Sequence, residues 1–199
     1  VETWIDAAGA VLQTFYAGME GGSALADLVF GVASPSARLP FTVARDASDY
    51  PFLDIDADTI TYGPFAGYTH FDTTGAAPRF SFGHGLSYTH FAYGPLSAVR
   101  DGDQVRVSTT VRNVGAMAAD EVVLAFAHAP PGDASRPPRQ LKAFARTHLA
   151  AGASAALTLS IPIESLKTWS PHTRAWSLTP GVYRFSVPGA DGEASVSLA

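Results

Sequence analysis

His84 and Ser87 stand three residues apart in the string PRFSFGHGLSYTHF (78–91), among glycines and between two aromatic runs. A histidine and a hydroxyl on a glycine-loosened backbone could act as base and nucleophile. A hydrolase serine of that kind sits in Gly-x-Ser-x-Gly at a strand-to-helix turn. Here Ser87 lies in GLSYT, and the residues after it read as strand. His84 as a metal ligand needs partners at ligand spacing. The six histidines, at 70, 84, 90, 128, 148 and 172, form no His-x-x-x-His pair, and the chain has no cysteine. Gly83 and Gly85 are read as residues that let the chain turn sharply. The stretch is therefore expected to be a structural junction, with its aromatics docking one part of the chain on another.

Other groups could bind rather than react. In MEGGS (19–23) two glycines and a serine open a predicted helix, whose free N–H groups could meet an anion or a hydroxyl. The string is not a phosphate loop, because no Gly-Lys-Ser/Thr comes after it. Glu20 could accept a hydrogen bond from a polar ligand, or simply be a favourable charge at a helix start. Asp54, Asp56 and Asp58 form a D-x-D-x-D row, but the sixth and twelfth positions of an EF-hand loop are Thr59 and Phe65. The row is read as a solvated acidic loop. Asp120 and Glu121 open a predicted strand and are read as surface charges. The many tyrosines and phenylalanines of 50–91 could stack on sugar rings or serve as packing anchors.

The elements that must position these groups fall into regions of different texture. AVLQTFYAG reads as a buried strand of a parallel sheet, MEGGSALADLVFG as a short amphipathic helix ending at Gly31, and SPSARLPFTVAR as a turn leading into a strand. Residues 1–45 are thus expected to be the last βαβ-type piece of an α/β sandwich domain. Residues 46–92 show little periodicity and are expected to form an irregular, aromatic-rich connecting segment. From 93 to 199 the pattern becomes alternation, as in QVRVSTTVRNVG, DEVVLAFAHAP, QLKAFARTHLAAG, SAALTLSIPI and GVYRFSVPG. Such strands predict an antiparallel two-sheet sandwich. The Pro-rich run at 129–140 is expected to be a long exposed loop.

At 199 residues and 47% hydrophobic composition, the chain can bury a core without covalent staples, and it has no cysteines to make them. A net charge of −5 with scattered basic residues argues against a nucleic-acid partner. No run of about 20 apolar residues predicts a membrane span. The start, VETWIDAAGAV, has neither an initiator Met nor a signal-peptide pattern, and the chain reads as a piece of a longer protein.

Taken in order, several strings resemble glycoside hydrolase family 3, the β-glucosidase and β-xylosidase group, over nearly the whole length. They are TFYAGMEGGSALADLVFG, SPSARLPFT, GYTHFDTTG (67–75) and FSFGHGLSYTHF (80–91), succeeded by strings similar to a fibronectin type III-like domain. The resemblance implies a C-terminal portion that completes an α/β sandwich and carries an all-β fibronectin type III-like sandwich. It implies a retaining, exo-acting β-glycosidase whose nucleophilic Asp and acid/base Glu lie in an N-terminal portion. Retaining chemistry needs its two carboxyl groups about 5 Å apart. The family's Ser/Thr-Asp-Trp motif is not found, since Trp4, Trp169 and Trp176 come after Glu-Thr, Lys-Thr and Arg-Ala. No catalytic residue, metal or cofactor is therefore assigned to this chain, and alone it is expected to be inactive. The implied partners are the N-terminal catalytic portion, on the same precursor or as a second chain, and a β-glycoside substrate.

Glu20, Tyr62 and Tyr68 are the candidates for contacting that substrate. Ala17, Met19, Ala37 and Thr69 replace the family's usual proline, glutamine, glycine and arginine, and Pro64 is unusual where it stands. Met19 and Thr69 are expected in loops near an active-site rim, where they would alter sugar specificity. The resemblance favours a periplasmic or secreted setting and leaves a cytoplasmic one open. A different class, a non-catalytic carbohydrate-binding or adhesion sandwich, accounts poorly for residues 1–45.

Overall fold

The alternation beyond residue 93 is realised strand by strand. The structure is a computed structural model describing residues 1–132 and 136–199. Two four-stranded antiparallel sheets face each other. In the first, β3 (Gln104–Asn113) pairs along one edge with β2 (Ser97–Asp101) and β1 (Phe91–Tyr93), end to end, and along the other with β6 (Ser154–Pro162). The second runs β10-β9-β4-β5, with β4 Ala119–His128, β5 Gln140–Leu149, β9 Gly181–Ser186 and β10 Ala194–Leu198.

Successive strand residues point to opposite faces, so one parity of each strand fills the interior. Val105, Val107 and Val111 of β3 thereby meet Val123 and Ala125 of β4, Ile161 of β6, and Tyr183 and Phe185 of β9. Each of these is at most 1% exposed. A small separate hairpin, β7 (Thr168–Ser170) with β8 (Ala175–Ser177), comes after a 3-10 turn at Ile163–Leu166. The expected loop at 129–140 includes residues 133–135, which lie outside the described residues.

Pairing between β4 and β5 slips once. Ala125 faces Ala143 while Phe126 faces Leu141, which leaves Lys142 as the extra residue of a bulge. Beyond the slip Phe126 is 1% exposed, because residues 68–82 cover that part of the sheet.

Residues 1–90 carry short helices: α1 (Glu2–Ile5), α2 (Gly21–Val29) and α3 (Tyr68–Thr74). The helix expected at 19–31 is α2, closed by Gly31 at φ +71. The strand expected in AVLQTFYAG is not formed; the stretch is coil without ladder pairing, broken by Phe15 at φ +52. Among the described residues no strand lies alongside to receive its backbone groups, and Phe15 and Tyr16 are 56% and 103% exposed. The second expected strand is reduced to a ladder between 39–43 and 79–84, with a single bridge from Val43 to Phe80.

Helix α3 corrects the expectation that 46–92 is wholly irregular. It starts at Gly67 (φ +56), ends at Gly75 in the left-handed region, and buries Phe71. Thr69 consequently stands in the first turn of a helix rather than in a loop, its hydroxyl donating to Ala66 O at 2.8 Å. No described helix is long and apolar enough to cross a membrane.

Candidate functional site

The glycines of FGHGL allow a close approach to the segment before Thr42. Gly83 N–H donates to Leu39 O, and Leu39 N–H to His84 O, both at 2.8 Å. Gly83 adopts φ +80, and a Cβ there would lie 2.7 Å from Leu124 Cδ1 on β4. A Cβ on Gly85 would lie 2.5 Å from the Ala37 carbonyl oxygen, closer than such atoms can come. The neighbour there is backbone, so it cannot swing aside. Gly85→Ala should destabilise the chain by about 1–3 kcal/mol, the usual cost of forced overpacking. A urea midpoint unchanged from that of the parent would contradict this close approach.

His84 lies against the Phe80 ring, with centroids 5.0 Å apart. Ser87 Oγ is 2.8 Å from Ser34 Oγ, which also accepts from Tyr88 N–H at 2.9 Å, and Tyr88 donates its hydroxyl proton to Leu28 O. The histidine and the serine thus hold different neighbours and join no nucleophile–base pair.

Arg38, two residues before Pro40, ties this turn to the sandwich. Its Nη1 donates to Gly85 O, and its Nη2 to Glu121 Oε2 at 2.5 Å. Tyr93 on β1 donates to the other oxygen of Glu121 at 2.7 Å. Burial, and then the Glu121 carboxylate it donates to, push the Tyr93 phenol well above its ordinary range, so it remains a protonated donor. Glu121 is only 4% exposed, which corrects its reading as a surface charge. Asp120, pointing the other way, does sit near the surface and pairs with Arg146 and His148, both at 2.6 Å. Those two contacts, His148 first, hold the Asp120 carboxyl below its usual value despite some burial.

A second seam joins α3 to β4 and β5. Arg139 grips Asp72 through two hydrogen bonds of 2.7 and 3.1 Å. Its guanidinium lies 4.7 Å from the Phe126 ring centre and 5.9 Å from that of Tyr68. Tyr68, Phe82 and Phe126 form an aromatic cluster with centroid separations of 4.7 to 6.2 Å. The Tyr68 hydroxyl accepts from Leu141 N–H at 2.9 Å. A cavity of about 210 Å³ lies in this seam, walled by Thr42, Phe71, Asp72 and Arg139 among others.

The three candidate substrate contacts are dispersed in character. Glu20 is exposed at the N-cap of α2 and makes no side-chain cap bond. Tyr62 is 63% exposed. Tyr68 is half-buried in the seam, with its ring and hydroxyl both engaged. No hydrogen bond joins these three among the described residues. Asp54, Asp56 and Asp58 stay in an exposed turn where Asp54 caps Asp56 N–H at 3.0 Å. Among the described residues no cluster of three His, Cys, Asp or Glu is placed to hold a metal.

A second surface feature lies away from the seams. Met19, Phe30, Phe52 and Ile55 are each more than 80% exposed, and α2 buries no residue at all. Together with Tyr16, Val29, Val32 and Leu53 they give residues 1–62 an uncovered apolar character. Monomeric domains seldom leave so many large apolar side chains uncovered together.

Comparison with known proteins puts these features in a family frame. The model of the glycosyl hydrolase family 3 C-terminal domain matches residues 1–88, and that of a fibronectin type III-like domain matches residues 121–191. A probable β-glucosidase J of Neosartorya fischeri is 36% identical over 213 residues, aligning with 98% of this chain and 24% of that protein. The thermostable β-glucosidase B of Acetivibrio thermocellus is 34% identical across 90% of the chain and 25% of its own length. Among solved structures, β-glucosidase 3B from Thermotoga neapolitana, in complex with α-D-glucose, superposes with a TM-score of 0.89. It is 32% identical, over 99% of this chain and 29% of that one. The β-D-glucoside glucohydrolase of Trichoderma reesei gives a TM-score of 0.85 at 28% identity, over 92% of this chain and 29% of that one. The chain thus spans about a quarter of the length of the curated relatives it matches.

Proposed function

Since the chain belongs to glycoside hydrolase family 3, as the C-terminal part of β-glucosidase-like proteins, we propose that it serves a retaining, exo-acting β-glycosidase without supplying the reacting carboxylates. Residues 1–45 would complete an α/β sandwich, 46–92 would connect, and the fibronectin type III-like sandwich from 93 would buttress the assembly. The nucleophilic Asp and acid/base Glu would come from an N-terminal catalytic portion, on the same precursor or as a separate chain.

The observation that carries this reading is the number of uncovered large apolar side chains in residues 1–62, among them Met19 at 98% and Phe52 at 89% exposure. Burying them against further layers would supply roughly 25 cal/mol for each Å² of apolar surface removed from water. Glu20 and Tyr62 lie within or beside that region, where a β-glycoside at the rim of the completed site could reach them. Tyr68 would then act from behind, by holding α3 in place.

The test is an assay with an aryl β-glucoside. The 199-residue chain alone should give no turnover above the uncatalysed rate. Adding the N-terminal portion, expressed separately or fused, should restore activity. Appreciable turnover by the chain alone would overturn the assignment of the carboxylates to the N-terminal portion.

A further inference from the structure

The hairpin β7–β8 sits apart from both seams and presents two tryptophans. Trp169 and Trp176 are directly paired across it, with ring centroids 5.8 Å apart and planes inclined by 62°. They are 46% and 60% exposed, although neither is needed to close the sandwich core. An exposed indole on a short hairpin is a platform for another flat or amphipathic ring.

Beside Trp176 opens a cleft of about 540 Å³, walled in part by Arg136, Gln140, Lys142, Glu164 and Lys167. Among the described residues three cations thus face one carboxylate, in a chain whose net charge is −5. Glu164 and Lys167 pair with each other at 2.5 Å. Among the described residues, Lys142 and Arg136 are instead fixed by uncharged groups. Lys142 Nζ donates to Ser165 O at 2.6 Å, while Arg136 donates to Leu166 O at 2.9 Å and Thr179 Oγ1 at 3.3 Å. These acceptors orient the two cations without neutralising them.

Lys142 occupies this place because it is the extra residue of the β4–β5 bulge. Bulges re-aim side chains that regular alternation would send elsewhere. Burial, and then the neighbouring Arg136 charge, lower the Lys142 pKa, the direction expected where positive charge has been gathered.

The geometry points to an acidic saccharide as the occupant: a pyranose ring stacks on the Trp176 indole, and its uronate carboxylate is received by Lys142 and Arg136. A carboxylate there gains charge-assisted hydrogen bonds from donors already in position. The apolar face of the ring meets the indole, and its hydroxyls fall within the range of the Gln140 and Glu164 side chains. The cleft volume accommodates more than one sugar ring, in keeping with small-ligand sites of several hundred Å³. This site does not depend on the catalytic role proposed above, and it is read by binding alone.

The test titrates the full chain with a glucuronate-bearing β-linked oligosaccharide, tracking tryptophan fluorescence and calorimetric heat. The neutral oligosaccharide of equal length and a short oligoglutamate form the other arms. Saturable binding of the acidic sugar is expected, at least about tenfold tighter than the neutral one, since each ~1.4 kcal/mol is a factor of ten. Trp176→Ala and Lys142→Met should each weaken it by a similar factor while leaving the thermal melt of the chain in place. Lys142→Met keeps the stem, so it separates loss of charge from loss of packing. The proposal is overturned if the acidic sugar shows no saturable binding, or if the neutral sugar binds as well and Lys142→Met changes nothing. It is equally overturned if oligoglutamate binds as tightly, because the site then reads acidic groups and not sugars.

Discussion

Arg38→Met should be the most damaging single change at the junction, costing about 3–5 kcal/mol of stability, the range for breaking a buried ion pair by removing one partner. The substitution leaves Glu121, with a side chain only 6% exposed, facing Tyr93 alone. It also removes the donor to Gly85 O. For a chain of this size each kcal/mol moves Tm by roughly 2–4 °C, so the melt should fall by about 6–20 °C. The reverse change, Glu121→Gln, should cost less. The Arg38 side chain is 18% exposed, can reach some solvent, and keeps its bond to Gly85 O. Tyr93→Phe should cost about 1.5–3 kcal/mol, as it removes one hydrogen bond to a buried carboxylate and leaves the ion pair whole.

Adding Glu121→Gln to Arg38→Met removes the stranded charge, so the double variant should be more stable than Arg38→Met alone. That reversal is the diagnostic result. If the double variant is worse than either single one, the damage lies in lost packing, and Glu121 is not a stranded charge. Denaturant midpoints of the four proteins decide it.

Much of the sandwich is legible in the sequence because its signal is local. Val105, Val107 and Val111 alternate, and the structure buries that parity of β3. The same rule applied strictly would have found Glu121. It shares its parity with Val123 and Ala125, both buried on β4, yet the residue type suggests a surface charge. Its partner Arg38 lies outside the sandwich, so no local pattern announces the pair.

Helix α3 escapes sequence reasoning for a different reason. Seven residues between two left-handed glycines show too few turns for a 3.6-residue period to stand out. The strand expected around Phe15 shows the opposite failing. Its apolar run is real, but a strand also needs neighbours, and within this chain Phe15 meets Phe41 edge-on in place of a partner strand. Tyr68 is visible as an aromatic. Its role is not, because Phe126 and Arg139 reach it only through the folded sheet.

Asn113 carries the second large expectation. It is fully buried at the end of β3, in the string VRNVG, and all four of its amide positions are used. Oδ1 accepts from Thr89 Oγ1 at 2.6 Å and from Gly115 N–H at 3.1 Å. Nδ2 donates to Met117 O at 2.8 Å and Leu149 O at 3.0 Å. One side chain thus knots the segment entering β1, the β3–β4 connection and the end of β5. Asn113→Ala strands several buried groups at about 1–3 kcal/mol each, partly relieved by water, and should cost roughly 3–4 kcal/mol. That deficit should not vary with pH.

Asn113→Asp should behave differently. A carboxylate oxygen replaces the NH₂ and faces two carbonyl oxygens, so the folded state favours the protonated acid, which donates to one of them. Its folded pKa therefore rises above the unfolded value of about 3.9. By linkage, the stability this acid lends is fully present below the unfolded pKa and is lost as pH rises through the folded one. The deficit relative to the parent should be smaller at pH 4 than at pH 7, whereas that of Asn113→Ala stays level. Parallel urea titrations at the two pH values read this directly. Equal deficits for Asp at both would mean that water, and not the Met117 and Leu149 carbonyls, faces the amide nitrogen.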